Sequence, residues 1–131
     1  MPAFNFKPEF AEAVERGEKR QTIRAERRDF RLPCKPGDRL MLYTGMRTPA
    51  CRKLAEAICT STSTVQLDAD HLIINGMIAG DGKREKVARA DGFETFQAMR
   101  DWFEQTHGLP FDGWLIKWSR SPRRRTSGEE K

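Results

Sequence analysis

Apolar positions change their spacing several times along the chain, and each change marks an element. Ala3-Phe4-Asn5-Phe6 alternates in character and reads as a short strand. Pro8 falls where a first helical turn tolerates it, Phe10, Ala13 and Val14 recur at helical spacing, and Gly17 supplies a stop. The spacing predicts a helix over 8–16. Thr22-Ile23-Arg24-Ala25 is β-prone and leads into a polar, arginine-rich loop from about Glu26 to Cys34. Lys35-Pro36-Gly37-Asp38 is a turn, since proline presets one dihedral and glycine accepts a positive one. The unbroken apolar run Leu40-Met41-Leu42-Tyr43 after it reads as a central strand.

Gly45 and Pro49 bracket another loop, and Leu54 to Cys59, Ser63 to Leu67 and His71 to Gly76 supply three further strand candidates. From Asp91 the period lengthens. Phe93, Phe96, Met99 and Phe103 give one apolar face to a helix across about 92–106. Asp91 with Glu94 three residues on has the reciprocal arrangement of a capping box, and Gly108 and Pro110 end the helix. Trp114-Leu115-Ile116-Lys117-Trp118 is the last strand, and no internal repeat is present. Strand, helix, several strands, helix, strand is an α+β order, mainly β, which predicts a barrel or sandwich with two helices packed outside. Residues 1–118 form the expected domain, and 119–131 read as a disordered basic tail with nothing to bury.

At 131 residues the chain can bury one core, and 33% charged against 37% hydrophobic residues suits a small domain with a well-solvated surface. No run approaches the roughly 20 apolar residues of a membrane span, and the N-terminus lacks the order of a secretory signal, so a cytoplasmic protein is expected. Cys34, Cys51 and Cys59 are too few and too widely spaced for a disulfide framework. With His71 and His107 isolated they offer no metal knuckle, so neither metal nor cofactor is expected, and a monomer is. The net charge of +5 invites a nucleic-acid reading, yet Arg120, Arg123, Arg124, Arg125 and Lys131 against Glu129 and Glu130 place +3 of it in the tail. Basic residues cluster within the body once, between Arg16 and Arg31, where a local field would attract phosphates.

That cluster contains Gly17-Glu18-Lys19-Arg20-Gln21-Thr22-Ile23-Arg24. In a strand Thr22 and Arg24 share one face and Ile23 points to the other, into a core. Lys19 meets Thr22 only if Gly17 to Arg20 forms a turn that brings its amine around. The same residues are also explained as surface charges beside a β-prone threonine. As a site, Arg24 offers a rigid fork for phosphate or a base edge and Lys19 a point charge beside it. Arg20 and Arg24 would help depress a lysine pKa.

The octet resembles the signature of the ASCH family, in which Gly, Lys, Thr and Arg recur at this spacing after a first helix. Lys35-Pro36-Gly37-Asp38 before an apolar strand and Asp91-Gly92-Phe93 resemble it too, so the likeness spans roughly residues 3–118. The resemblance implies a PUA-like closed β-barrel of five to seven short strands with two flanking helices. It implies RNA or a nucleotide-like ligand in a cleft around Lys19, Thr22 and Arg24. One branch consists of small bacterial amidohydrolases acting on N4-acetylcytidine, in which Lys19 would be the base and Thr22 the nucleophile. Asp91 stands where that branch has a glutamate, one methylene shorter, and its place as a helix cap is the readier explanation of it. Another branch is linked to RNA cleavage, which would want a histidine near the cleft, and nothing in the sequence places His71 or His107 there. Arg20, Tyr43 and Arg47 are further candidate contacts, while Trp102, Trp114 and Trp118 lie in apolar patterns and read as core. The expectation is ligand binding first, deacylation second, and third an adaptor that works through Arg123 to Arg125.

Overall fold

The computed structural model describes residues 2–26 and 32–120. Its elements are β1 (Ala3–Phe6), α1 (Pro8–Arg16), β2 (Gln21–Ala25), β3 (Arg39–Thr44), β4 (Arg52–Leu67), β5 (Leu72–Ile74), β6 (Met77–Ile78), α2 (Asp81–Ala90), α3 (Phe96–His107) and β7 (Phe111–Arg120). The class is α+β with strands dominant, as the pattern predicts.

The seven strands form one sheet. β1 runs parallel to β3, and the remaining pairs, β3–β4, β4–β7, β7–β2, β4–β5 and β5–β6, are antiparallel. The sheet is not closed into a barrel, and among the described residues no ladder joins β1 to β2. A side chain crosses that seam instead: Arg24 of β2 donates from Nη2 to the Asn5 carbonyl of β1 at 2.7 Å. Its guanidinium also lies over the rings of Phe4 and Phe6, 5.2 and 4.8 Å from their centroids.

The two strands expected at 54–59 and 63–67 are one strand, β4, with a register shift between Cys59 and Ser61 against β7. A bulge re-aims the chain without ending it, which composition alone reads as a break. β4 thereby serves both apolar clusters of the core. Leu54, Ala57 and Cys59 pack with α1, β1 and β3 on one side, and Val65 and Leu67 pack with α2, α3 and β5 on the other. On β7 the neighbours Leu115 and Ile116 separate in the same way, one into each cluster.

Three helices flank the sheet, one more than expected. α2 escapes the periodicity because only Val87 and Ala88 of its ten residues are buried. Its presence also overturns the capping box. Asp91 closes α2, its N–H bonding the Val87 carbonyl at 3.0 Å, while Thr95 caps α3 by accepting from Ala98 N at 3.0 Å. At the other end, β7 continues two residues past the expected domain limit, with Ser119 opposite Ile58 and Arg120 opposite Ala57. Arg120, assigned above to the tail, donates to the Glu15 carbonyl of α1 at 2.8 Å. Residues 121–131 and residues 27–31 of the arginine-rich loop lie outside the described residues. No helix among those described is long and apolar enough to cross a membrane.

Candidate functional site

The seam between β1 and β2 opens into a cleft of about 390 Å³, within the range of ligand sites. Its walls come from β1, the start of α1, β2, the end of α2 and the last turns of α3.

Lys19 reaches the floor through the turn that the sequence requires. Gly17 ends α1 in the left-handed region at φ 81°, and the N–H groups of Glu18 and Lys19 both return to the Ala13 carbonyl, at 2.9 and 3.0 Å. The chain reverses, and the Lys19 side chain runs inward to 4% exposure. There Nζ donates to the Asp91 carbonyl at 2.5 Å and lies 3.1 Å from Asp91 Oδ1. Gln21, also buried, steadies the carboxylate: its Nε2 donates to Val87 O at 3.2 Å and to Asp91 Oδ1 at 3.4 Å. Gly92 permits the approach. Its φ of 103° suits glycine, and a Cβ there would stand 3.2 Å from Phe10 and 3.9 Å from Lys19 Cδ.

Burial governs the electrostatics. Desolvation pushes the Lys19 ammonium below its ordinary value, outweighing the attraction of Asp91, and Arg24 works in the same direction as the burial. Desolvation likewise raises the Asp91 carboxyl above the usual range against the pull of Lys19. Both shifts favour loss of the proton from the amine, which is the state a base requires. Arg24 falls to about 10, through burial, and stays charged at neutral pH.

Of the residues singled out from the sequence, Lys19, Thr22, Arg24 and Asp91 line this one cleft, and Ile23 both borders it and joins the core. Three others lie away from it. Arg20 is exposed and turns back, donating from Nε to the Gly17 carbonyl at 2.8 Å. Tyr43 alternates with the inward Leu42 and Thr44 of β3 and faces the opposite side of the strand. Arg47 is exposed in the tight turn after Gly45, with a positive φ of 67°.

The cleft also contains residues that the sequence reading left aside. Lys7, Phe10, Trp102 and His107 line it. Phe10 and Trp102 meet edge to face at 6.0 Å, Trp102 and His107 likewise at 6.0 Å, and the Lys7 ammonium stands 5.2 Å from the Trp102 centroid. Trp102, read above as core, is thus half-buried wall, and His107, which no sequence argument placed, stands at the cleft. Burial, with Lys7 adding to it, lowers the His107 imidazole, so it is neutral at neutral pH. The α3 period and the Gly108 stop do put His107 in the final helical turn. What they do not reveal is that this turn faces the start of α1.

No family model matches the chain. Comparison with curated proteins and with solved structures likewise gives no significant match.

Proposed function

We propose that the chain is an ASCH-type domain of PUA-like architecture that deacylates a modified nucleoside such as N4-acetylcytidine. The observation that carries this reading is the buried Lys19–Asp91 pair at 3.1 Å in the floor of a cleft that Thr22 also lines. A surface cation suffices for holding a phosphate. A lysine taken out of water beside a carboxylate is costly, and it suits proton transfer.

In the step proposed, the Lys19 amine takes the proton of the Thr22 hydroxyl as Oγ1 attacks the acyl carbon. Collapse of the tetrahedral intermediate breaks the C–N bond, and the proton on Lys19 leaves with the amine. Water then adds to the Thr22 ester, its proton passing to Lys19 or Asp91. The carboxylic acid departs and the hydroxyl is restored. Asp91 orients the lysine and stands in for the family's glutamate.

The test is liquid chromatography of N4-acetylcytidine incubated with wild type, Lys19→Ala and Thr22→Ala. Release of cytidine by wild type alone supports the reading. No release, or release that survives Thr22→Ala, overturns it. A second reading, binding of RNA or a nucleotide without turnover, is favoured by the lining charge, since Lys7, Lys19 and Arg24 oppose the single carboxylate Asp91.

A further inference from the structure

We infer that the ligand of this cleft carries a phosphate group, read by Lys7 at the mouth while its flat ring rests against Trp102. The inference rests on the nucleoside reading above for the ring and on the lining charge for the phosphate.

Three cations line the cleft and only one carboxylate does. Lys19 and Asp91 satisfy each other on the floor. Arg24 is held by the Asn5 carbonyl and by two phenylalanine rings, and the lining carboxylate that acts on it is Asp91, which Lys19 already engages. Lys7 is exposed, and among the described residues no carboxylate pairs with it. With His107 neutral, the lining holds an excess of two positive charges. A phosphate monoester near neutral pH carries about that much negative charge. A free nucleoside carries none, and would leave Lys7 without a counter-charge and Arg24 sharing Asp91 with Lys19.

The placement of Lys7 suits this task better than a structural one. Its ammonium caps the Trp102 face, the surface on which a base would stack. A ring that takes this face displaces the ammonium, whose flexible stem can follow a phosphate out toward solvent. Phe10 and His107 continue the aromatic wall on either side of Trp102.

A free nucleotide and the phosphate of an RNA strand present the same chemistry. Calorimetric titration with cytidine, cytidine 5′-monophosphate and a short oligocytidylate at one fixed ionic strength separates them. The monophosphate should bind wild type about five- to tenfold more tightly than cytidine, the size of one partly screened charge contact. Lys7→Met should bring that ratio close to one, while Lys83→Met, an exposed lysine on α2 away from the cleft, should leave it intact. An oligocytidylate that outbinds the monophosphate, with its advantage lost in Lys7→Met, also supports the inference and assigns the phosphate to RNA. Equal binding of cytidine and monophosphate by wild type, a ratio indifferent to Lys7→Met, or no binding of any probe overturns it. None of these probes carries an acyl group, so the outcome is independent of turnover. Selective binding with no deacylation removes the hydrolase reading alone, and deacylation without selectivity removes this inference alone.

Discussion

Lys19 and Asp91, 72 residues apart in sequence, meet twice: the ammonium donates to the backbone carbonyl of Asp91 and lies 3.1 Å from its carboxylate. The first contact fixes the end of α2 against the turn after α1, and the second joins an ammonium and a carboxylate in the cleft. Fold and proposed chemistry therefore depend on one pair, and variants can separate the two roles.

Removing one partner leaves a buried charge without compensation. Lys19→Met or Asp91→Leu should each destabilise by about 3–5 kcal/mol in urea unfolding. The double variant Lys19→Met, Asp91→Leu should recover much of that loss, because an apolar pair carries no desolvation penalty. It should remain inactive if the pair is the acid–base machinery. Recovery of stability together with activity would reduce the pair to a structural latch.

The direction of the Lys19 shift fixes a pH dependence. The unfolded chain holds this proton at the ordinary 10.5, and the folded chain holds it more weakly because of burial. For this group, stability rises with pH from the lowered folded value up to 10.5. Activity that needs the free amine rises through the folded value, so the rising limb of kcat/KM should lie below pH 10.5. Asp91→Asn removes the attraction that keeps the proton on, and should move the limb to lower pH. A limb that stays in place or moves upward would show that Lys19 is not the base being titrated.

Two glycines should respond in opposite senses. On β7, a Cβ at Gly113 would stand 2.1 Å from the Arg24 carbonyl of β2, a backbone atom that cannot move alone. Gly113→Ala should cost at least about 3 kcal/mol and disturb the strand that carries Thr22 and Arg24. Gly82 lies within α2 with nothing inside 4 Å of its missing Cβ. Gly82→Ala should stabilise by about 0.5–1 kcal/mol. Thermal unfolding of both variants checks the pair of outcomes, and a mild effect at Gly113 would mean that β2 and β7 are less tightly apposed than here.

Local chemistry made much of this legible. The Pro8 start and Gly17 stop delimit α1, the Lys35-Pro36-Gly37-Asp38 turn announces β3, and the alternation at Thr22 to Arg24 assigns Ile23 to the core. α2 stayed hidden because a helix with two buried residues has almost no apolar stripe to detect. Without α2, Asp91 has no helix to end and reads as the cap of the next, which offers a second explanation for its carboxylate beside the catalytic one. The mouth of the cleft was hidden for another reason. Lys7 and Trp102 come together only because Phe10 of α1 packs on the α3 ring, a contact across most of the chain that no periodicity records.

The thiols offer a check on the core that is independent of any ligand. Cys34 and Cys59 are buried with their sulfurs 3.6 Å apart, while Cys51 is exposed. Burial, reinforced by the contact with Cys59, pushes the Cys34 thiol up to about 12. At pH 8 that leaves about one part in ten thousand as the reactive thiolate. A disulfide reagent of the dithionitrobenzoate type should therefore meet one fast thiol in the native protein and three after denaturation. Cys51→Ser should remove the fast phase. If two thiols react quickly in the native state, the end of the arginine-rich loop at Cys34 opens on the timescale of the assay. The cluster that joins β3, β4 and α1 would then be looser than its packing implies.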